Sequence, residues 1–164
     1  MFKPRIFVSV KTLTLVRHAH AEGGINAADL YRVLSSRGHD EAHIQSGHFP
    51  LPDDAVLLIS PARRTMETAE HWLKKQPHLK SKMVKGLYNA DCETILEVIQ
   101  DHGDCEHLVV FAHNPGISEV YHYLTNEWMA FEPCTLAILD MYAYDNAVER
   151  GKATTLRLQF PTNQ

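Results

Sequence analysis

Arg17 and His18 stand side by side directly after the apolar run Leu13-Thr14-Leu15-Val16. Arg63 and Arg64 follow a second apolar run, Ala55 to Ile59, by way of Ser60-Pro61-Ala62, and His113-Asn114 follows a third, His107 to Ala112. Arginine keeps its charge at any working pH and presents a planar fork of donors that matches a pair of phosphate oxygens. Imidazole is largely neutral near pH 7 and offers a nitrogen lone pair. Arginines that hold the equatorial oxygens, with a nitrogen that attacks phosphorus, make up a phosphoryl-transfer site that draws its charge from the protein and needs no metal. A basic surface turn accounts for any one of these stretches alone. The case rests on whether the rest of the chain brings them together.

The elements around them have the form that would do so. Each apolar run has the length and β-branched content of a strand buried on both faces, and each leads into a helix. Ser35 or Ser36 is placed to cap a helix running to about His48, followed by the breaking loop Phe49 to Asp54. Ser60-Pro61 reads as a cap with proline at the first helical position, and the helix continues to about Lys75 with Ala62, Met66, Ala69 and Leu73 on one stripe. Asp91 caps a helix to about Asp101, after a short strand near Ser81 to Val84. Asn114 and Pro115 open a helix whose Ile117, Val120, Tyr121 and Leu124 point inward. The end of the chain has a different pattern. Thr135 to Tyr142, a polar turn near Asp145-Asn146, and the alternating stretch Ala153 to Phe160 read as two late strands with an edge among them. The succession of strands and helices predicts an α/β protein with three α/β/α layers, a mostly parallel central sheet and a late edge strand. In such a sheet the loops leaving the strand ends share one edge, where ligands bind. Arg63 and Arg64 sit in the first turn of their helix, where cations oppose the helix dipole and a bound anion would reverse the penalty.

At 164 residues, 45% hydrophobic and 22% charged, the chain is expected to form one domain, with residues 1–10 as a loose extension. A net charge of −4 argues against a broad basic face for nucleic acid and makes a local arginine cluster more informative. Cys92, Cys105 and Cys134 are odd in number and widely spaced, as expected of reduced thiols, and Ile6 to Val10 is too short an apolar run for a secretory leader. No run could span a bilayer, so a cytoplasmic protein without membrane association is expected. His39 and His43 lie at i and i+4 on a helix, but Asp40 stands where a zinc-protease helix carries glutamate, and no third ligand is near in sequence. A solvated helix face is the expectation there, with no metal and no cofactor.

The ordered set LTLVRHAHAE (13–22), RVLSSRGHDEA (32–42), LLISPARRTMETA (57–69), LYNADCETILEVI (87–99) and VVFAHNPGISE (109–119) resembles the histidine phosphatase superfamily, with its phosphoglycerate-mutase-like fold. Within that superfamily it is most similar to the short phosphohistidine phosphatases of the SixA type. The resemblance implies His18 as the nucleophile that becomes phosphorylated and Arg17 as its phosphate-binding neighbour. Counting back from Thr68 it implies Arg64, rather than Arg63, as a further clamp residue. Arg32 would contact phosphate, His113 would contact the transferring phosphoryl group, and Asn114 joins the phosphate-binding set. The larger relatives supply a carboxylic acid that protonates an oxygen leaving group; here the corresponding segment carries Asn89, with Asp91 and Glu93 at a helix start.

An alkoxide leaving group needs general-acid help of ~10²–10⁴-fold, whereas an imidazole, with a pKa of about 6.5, leaves readily once protonated. The expected substrate is therefore a phosphohistidine-bearing protein, with phosphate and other oxyanions also binding in the site. A general small-molecule phosphomonoesterase would use the same residues. A non-catalytic phosphate-binding module is a third reading, against which the presence of His18 argues.

Overall fold

The three apolar runs form the middle of a six-stranded sheet, in a computed structural model that describes residues 10–24, 28–141 and 148–161. The strands are β1 (Thr12–Arg17), β2 (Val56–Ile59), β3 (Lys80–Met83), β4 (His107–Ala112), β5 (Leu136–Asp140) and β6 (Thr154–Gln159), in the spatial order β3-β2-β4-β1-β5-β6. The first four strands run parallel; β5 pairs antiparallel with β1, and β6 antiparallel with β5. Because β4 lies between β1 and β2, the loops after all three emerge side by side on one edge.

The helices are α1 (Ser36–His48), α2 (Arg63–Lys75), α3 (Cys92–Asp101) and α4 (Gly116–Thr125). Alternation along each central strand divides the core in two. Val16, Leu57, Ile59, Val109 and Phe111 join Ala42, Ala69 and Trp72 of α1 and α2. Leu13, Leu15, Leu58, Leu108 and Val110 join Ile95, Ile99, Ile117, Val120 and Leu124 of α3 and α4. The result is the expected three-layer α/β/α arrangement. Trp72 is fully buried; its indole nitrogen donates to the Phe49 carbonyl at 2.9 Å, and its ring meets Phe111 edge-on at 5.5 Å. Trp128, by contrast, is 64% exposed.

Two of the four expected caps form. Ser35 accepts from the Gly38 amide and Asp91 from the Thr94 amide. The other two do not, for a common reason. Helix α2 begins at Arg63, not after Ser60, and Ala62 at its N-cap makes no side-chain bond; the Ser60 hydroxyl is taken by His113 at 2.7 Å. Helix α4 begins at Gly116 with Pro115 at the cap; the Asn114 side chain goes instead to the Phe131 carbonyl and the Ser118 hydroxyl. Both residues serve the sheet edge instead of the helix end.

The inward stripe of α2 also differs from the expected one. Arg64, Thr65, Thr68, Ala69 and Trp72 are buried, while Met66 and Leu73 are only partly so. The helix is turned so that a polar ridge faces the loops. Val10, placed by sequence in a loose extension, is buried in the core; residues 1–9, the turn near Asp145-Asn146 and Tyr142 lie outside the described residues. No helix among the described residues is long and apolar enough to cross a membrane.

Candidate active site

Strand β1 ends at Arg17, and the chain then turns so that His18 faces the space above β4. The His18 amide still bonds to the Ala112 carbonyl at 3.2 Å, and its carbonyl accepts from the Cys134 amide at 3.0 Å. The His18 Nδ1 lies 2.8 Å from its neighbour's carbonyl, Ala19. A carbonyl can only accept, so Nδ1 carries the proton and Nε2 holds the lone pair. Burial, with Arg64, Arg17 and Arg32 nearby, pushes the His18 pKa down to about 4, against the opposing pull of the Ala19 carbonyl. The ring is thus neutral and nucleophilic at pH 7.

His113, at the end of β4, lies with its ring centroid 5.3 Å from that of His18. Its Nδ1 faces Arg64 Nη2 at 3.3 Å, and guanidinium only donates, so the Nε2 proton is the one given to Ser60 Oγ. Burial, then His18 and Arg64, bring its pKa down to about 3.

Arg64 and Arg63 point in different directions, as neighbours about 100° apart on a helix must. The Arg64 side chain is 4% exposed and lies beside His113 and Asp29. Arg63 is 56% exposed and bonds outward to Glu67. Arg17 donates to the Phe131 carbonyl at 2.7 Å, and Arg32 to the Glu22 carbonyl and Asp29. The Nε atoms of both Arg17 and Arg64 are buried with no protein partner. Buried donors left unpaired cost free energy, and an anion held between the two guanidiniums would relieve it. Asn114 donates to the same Phe131 carbonyl as Arg17, at 2.8 Å.

Several residues that motif reasoning does not single out complete the pocket. Asp29 accepts from Arg64 at 3.1 Å, Arg32 at 3.1 Å and the Tyr88 hydroxyl at 2.8 Å, while its carbonyl takes Arg64 Nη1 at 2.7 Å. Tyr88 foremost, with Arg32 and Arg64, holds this carboxyl well below the usual range, so it is ionised and occupies the arginine clamp as an internal anion. The sequence cue is an acid three residues before Arg32, an i, i+3 ion pair. Thr68 accepts from the Ala19 amide and donates to the Arg64 carbonyl, coupling the loop after His18 to the arginine helix. The buried Glu41 accepts from the His20 amide. Gly38 and Gly116 make close approaches possible: a Cβ would lie 2.0 Å from the His20 carbonyl oxygen at the first and 2.1 Å from that of Ala90 at the second.

No protein-family model matches the chain, and no curated relative matches it by sequence. Solved structures match over almost the whole chain. A candidate phosphohistidine phosphatase SixA from Agrobacterium tumefaciens superposes with a TM-score of 0.78 at 22% identity, covering 93% of this chain and 99% of that one. The protein histidine phosphatase SixA complexed with tungstate gives 0.72 at 19% identity, with 92% and 97% covered. A mycobacterial glucosyl-3-phosphoglycerate phosphatase gives 0.63 at 12%, with 93% and 99% covered. The likeness is one of fold: the chain has the phosphoglycerate-mutase-like α/β/α fold seen in histidine phosphatases.

Proposed function

We propose that this protein is a phosphatase that takes a phosphoryl group onto His18 Nε2 and hydrolyses it, with phosphohistidine in proteins as its substrate. The observation that carries the reading is the lone pair of His18 Nε2, fixed by the Ala19 carbonyl, with the His113 ring 5.3 Å away and the Nε atoms of Arg17 and Arg64 buried without a protein partner. In the first step the Nε2 lone pair attacks phosphorus, and the bond from phosphorus to the substrate nitrogen breaks. The departing imidazole takes its proton from solvent. In the second step water attacks the phosphorylated His18; inorganic phosphate leaves with the proton, and Nε2 regains its lone pair. Arg17, Arg64 and Arg32 neutralise the oxygens throughout, with His113 held beside them by Ser60 and Arg64. Arginine supplies the positive charge, so the chemistry runs without a divalent ion.

Asp29, the carboxylate nearest the clamp, is held ionised and is a poor proton donor in the free site. That favours a leaving group needing no acid, which a P–N bond provides and an alkoxide does not. An open hollow of about 440 Å³ is lined by Leu30, Tyr31, Pro61, Arg63, Met66, Glu67 and Glu70, with Leu30 following Asp29 directly in the chain. With Tyr31 66% exposed, it is suited to a side chain presented by another protein. The testing experiment offers the enzyme histidine-phosphorylated carrier proteins beside sugar phosphates and phosphoserine, with and without EDTA. Loss of phosphate from the phosphohistidine proteins, unaffected by chelation, is the expected result. Faster turnover of the small esters would assign it as a phosphomonoesterase, and dependence on a divalent ion would overturn the mechanism.

A further inference from the structure

On the outer side of the α1–α2 layer, away from the catalytic pair, three histidines that are distant in sequence come together. His39 Nδ1 lies 3.2 Å from His71 Nε2. Two nitrogens bound to one tetrahedral zinc, each at 2.0–2.1 Å, are separated by about 3.3 Å, so this pair already has the spacing of shared ligation. His43 lies one turn along α1 from His39, on the same face, with its ring edge-on to His71 at 6.2 Å between centroids. It is exposed, and its side chain must turn for a ring nitrogen to join the other two. The other nitrogen of His39, Nε2, lies 4.0 Å from Glu67 Oε2, beyond hydrogen-bond distance, and that oxygen accepts from the Leu34 amide, so Glu67 contributes negative charge beside the cluster. The nearby lysines are occupied: Lys75 donates to the His43 carbonyl and Ser46, and Lys74 pairs with Glu70.

We propose that His39, His71 and His43 form a surface binding site for an imidazole-preferring divalent cation of the zinc type, linking α1 to α2. The third ligand that the i, i+4 pair lacks in sequence is supplied from the neighbouring helix. Imidazole donors select zinc, copper or nickel over magnesium or calcium. The site plays no part in phosphoryl transfer. Its effect is mechanical, since it joins the helix that carries Arg64 to α1, whose cap Ser35 and buried Glu41 bond to the His20 backbone in the loop after His18.

The test is calorimetric titration of the full chain with zinc chloride in a non-chelating buffer, with melting curves of every variant recorded in EDTA to verify folding. The expected result is one zinc per chain and a higher melting temperature with zinc than without. His39→Ala and His71→Ala should each weaken binding at least about tenfold, His43→Ala by less. Cobalt in place of zinc should give the visible absorption of a tetrahedral site in the wild type, lost in His71→Ala. Asp54, Glu106 and His107 already have their ligand atoms within 4.8 Å of one another, a span the three histidines reach only when His43 turns, although Lys11 pairs with Glu106. Zinc binding abolished by His107→Ala but kept in His71→Ala would overturn the proposal. So would no zinc uptake at about 100 μM, or unchanged uptake in the His39→Ala, His71→Ala double variant.

Discussion

The two helical layers of this protein are built from different materials. Between the sheet and α3 and α4 the buried helix side chains are Ile95, Val98, Ile99, Ile117, Val120, Tyr121 and Leu124, with Ser118 the polar exception. On α1 and α2 the buried set includes Glu41, Gln45, Ser46, Arg64, Thr65 and Thr68. Most of these polar groups reach toward the loops at the sheet edge. Glu41 accepts from the His20 amide, Gln45 donates to the Cys134 carbonyl, Thr65 and Arg64 lie beside His113, and Thr68 accepts from the Ala19 amide. Burying polar atoms stabilises little even when they are paired, and costs more when they are not. One layer supplies apolar burial, while the other is given over to holding loops and charges in place.

The sharpest way to break this division is at His18, the proposed nucleophile. His18→Ala should lower turnover by on the order of 10⁴-fold or more while leaving the melting curve close to wild type. Acid-labile, alkali-stable label from a phosphorylated substrate should be absent from the variant, and any label retained there would reassign the nucleophile. Arg64→Ala comes next, with a loss of about 10²–10³-fold in kcat, or about 2.7–4 kcal/mol. Tungstate inhibition should weaken in the same variant.

The polar layer should also be the acid-sensitive one. His18 and His113 have folded-state pKa values near 4 and 3, below the value of about 6.5 for an unfolded histidine, and His71 is displaced the same way, to about 4, by burial and by His39. The unfolded chain therefore binds more protons between about pH 6.5 and 4. Stability carried by these groups is fully present above pH 6.5 and is lost as pH falls through that window. Urea denaturation at pH 7, 5.5 and 4.5 should show the decline, and His113→Gln should flatten part of it. In the apolar layer, Ile99→Val should cost about 0.5–1.5 kcal/mol of stability, read from urea midpoints, with kcat unchanged. The smallest effect belongs to Arg63→Ala, which removes an exposed ion pair worth under about 1 kcal/mol and should alter kcat less than about threefold. An Arg63 effect exceeding that of Arg64 would invert the reading of the whole helix.

How much of this is legible in sequence follows from the same contrast. The buried strands and the α3–α4 face announce themselves by periodicity, because apolar burial repeats with the geometry of each element. The choice of Arg64 comes with the motif spacing, and the structure directs that side chain inward. Asp29 and Tyr88 escape a reading of the sequence because their meeting joins positions 59 residues apart, and Asp29 reaches Arg64 across 35. Local rules make helix caps of Ser60 and Asn114, but long-range partners on His113 and Phe131 take precedence. Local chemistry predicts the elements; the polar contacts between loops are set by the order of strands in the sheet, which no local pattern encodes.

Trp72 gives the protein an optical reporter of its own. Its indole is sealed from water against Phe111 and lies eight residues along α2 from Arg64, about 12 Å on the helix axis. Phe111 in turn is two residues from His113 on the strand that delivers it. Trp128 is largely exposed, with its ring edge-on to His122. With Trp128→Phe the fluorescence comes from one residue, wedged between the helix of the clamp and the strand of the second histidine. A small shift of either on oxyanion binding would then register as a change in light, without a labelled substrate.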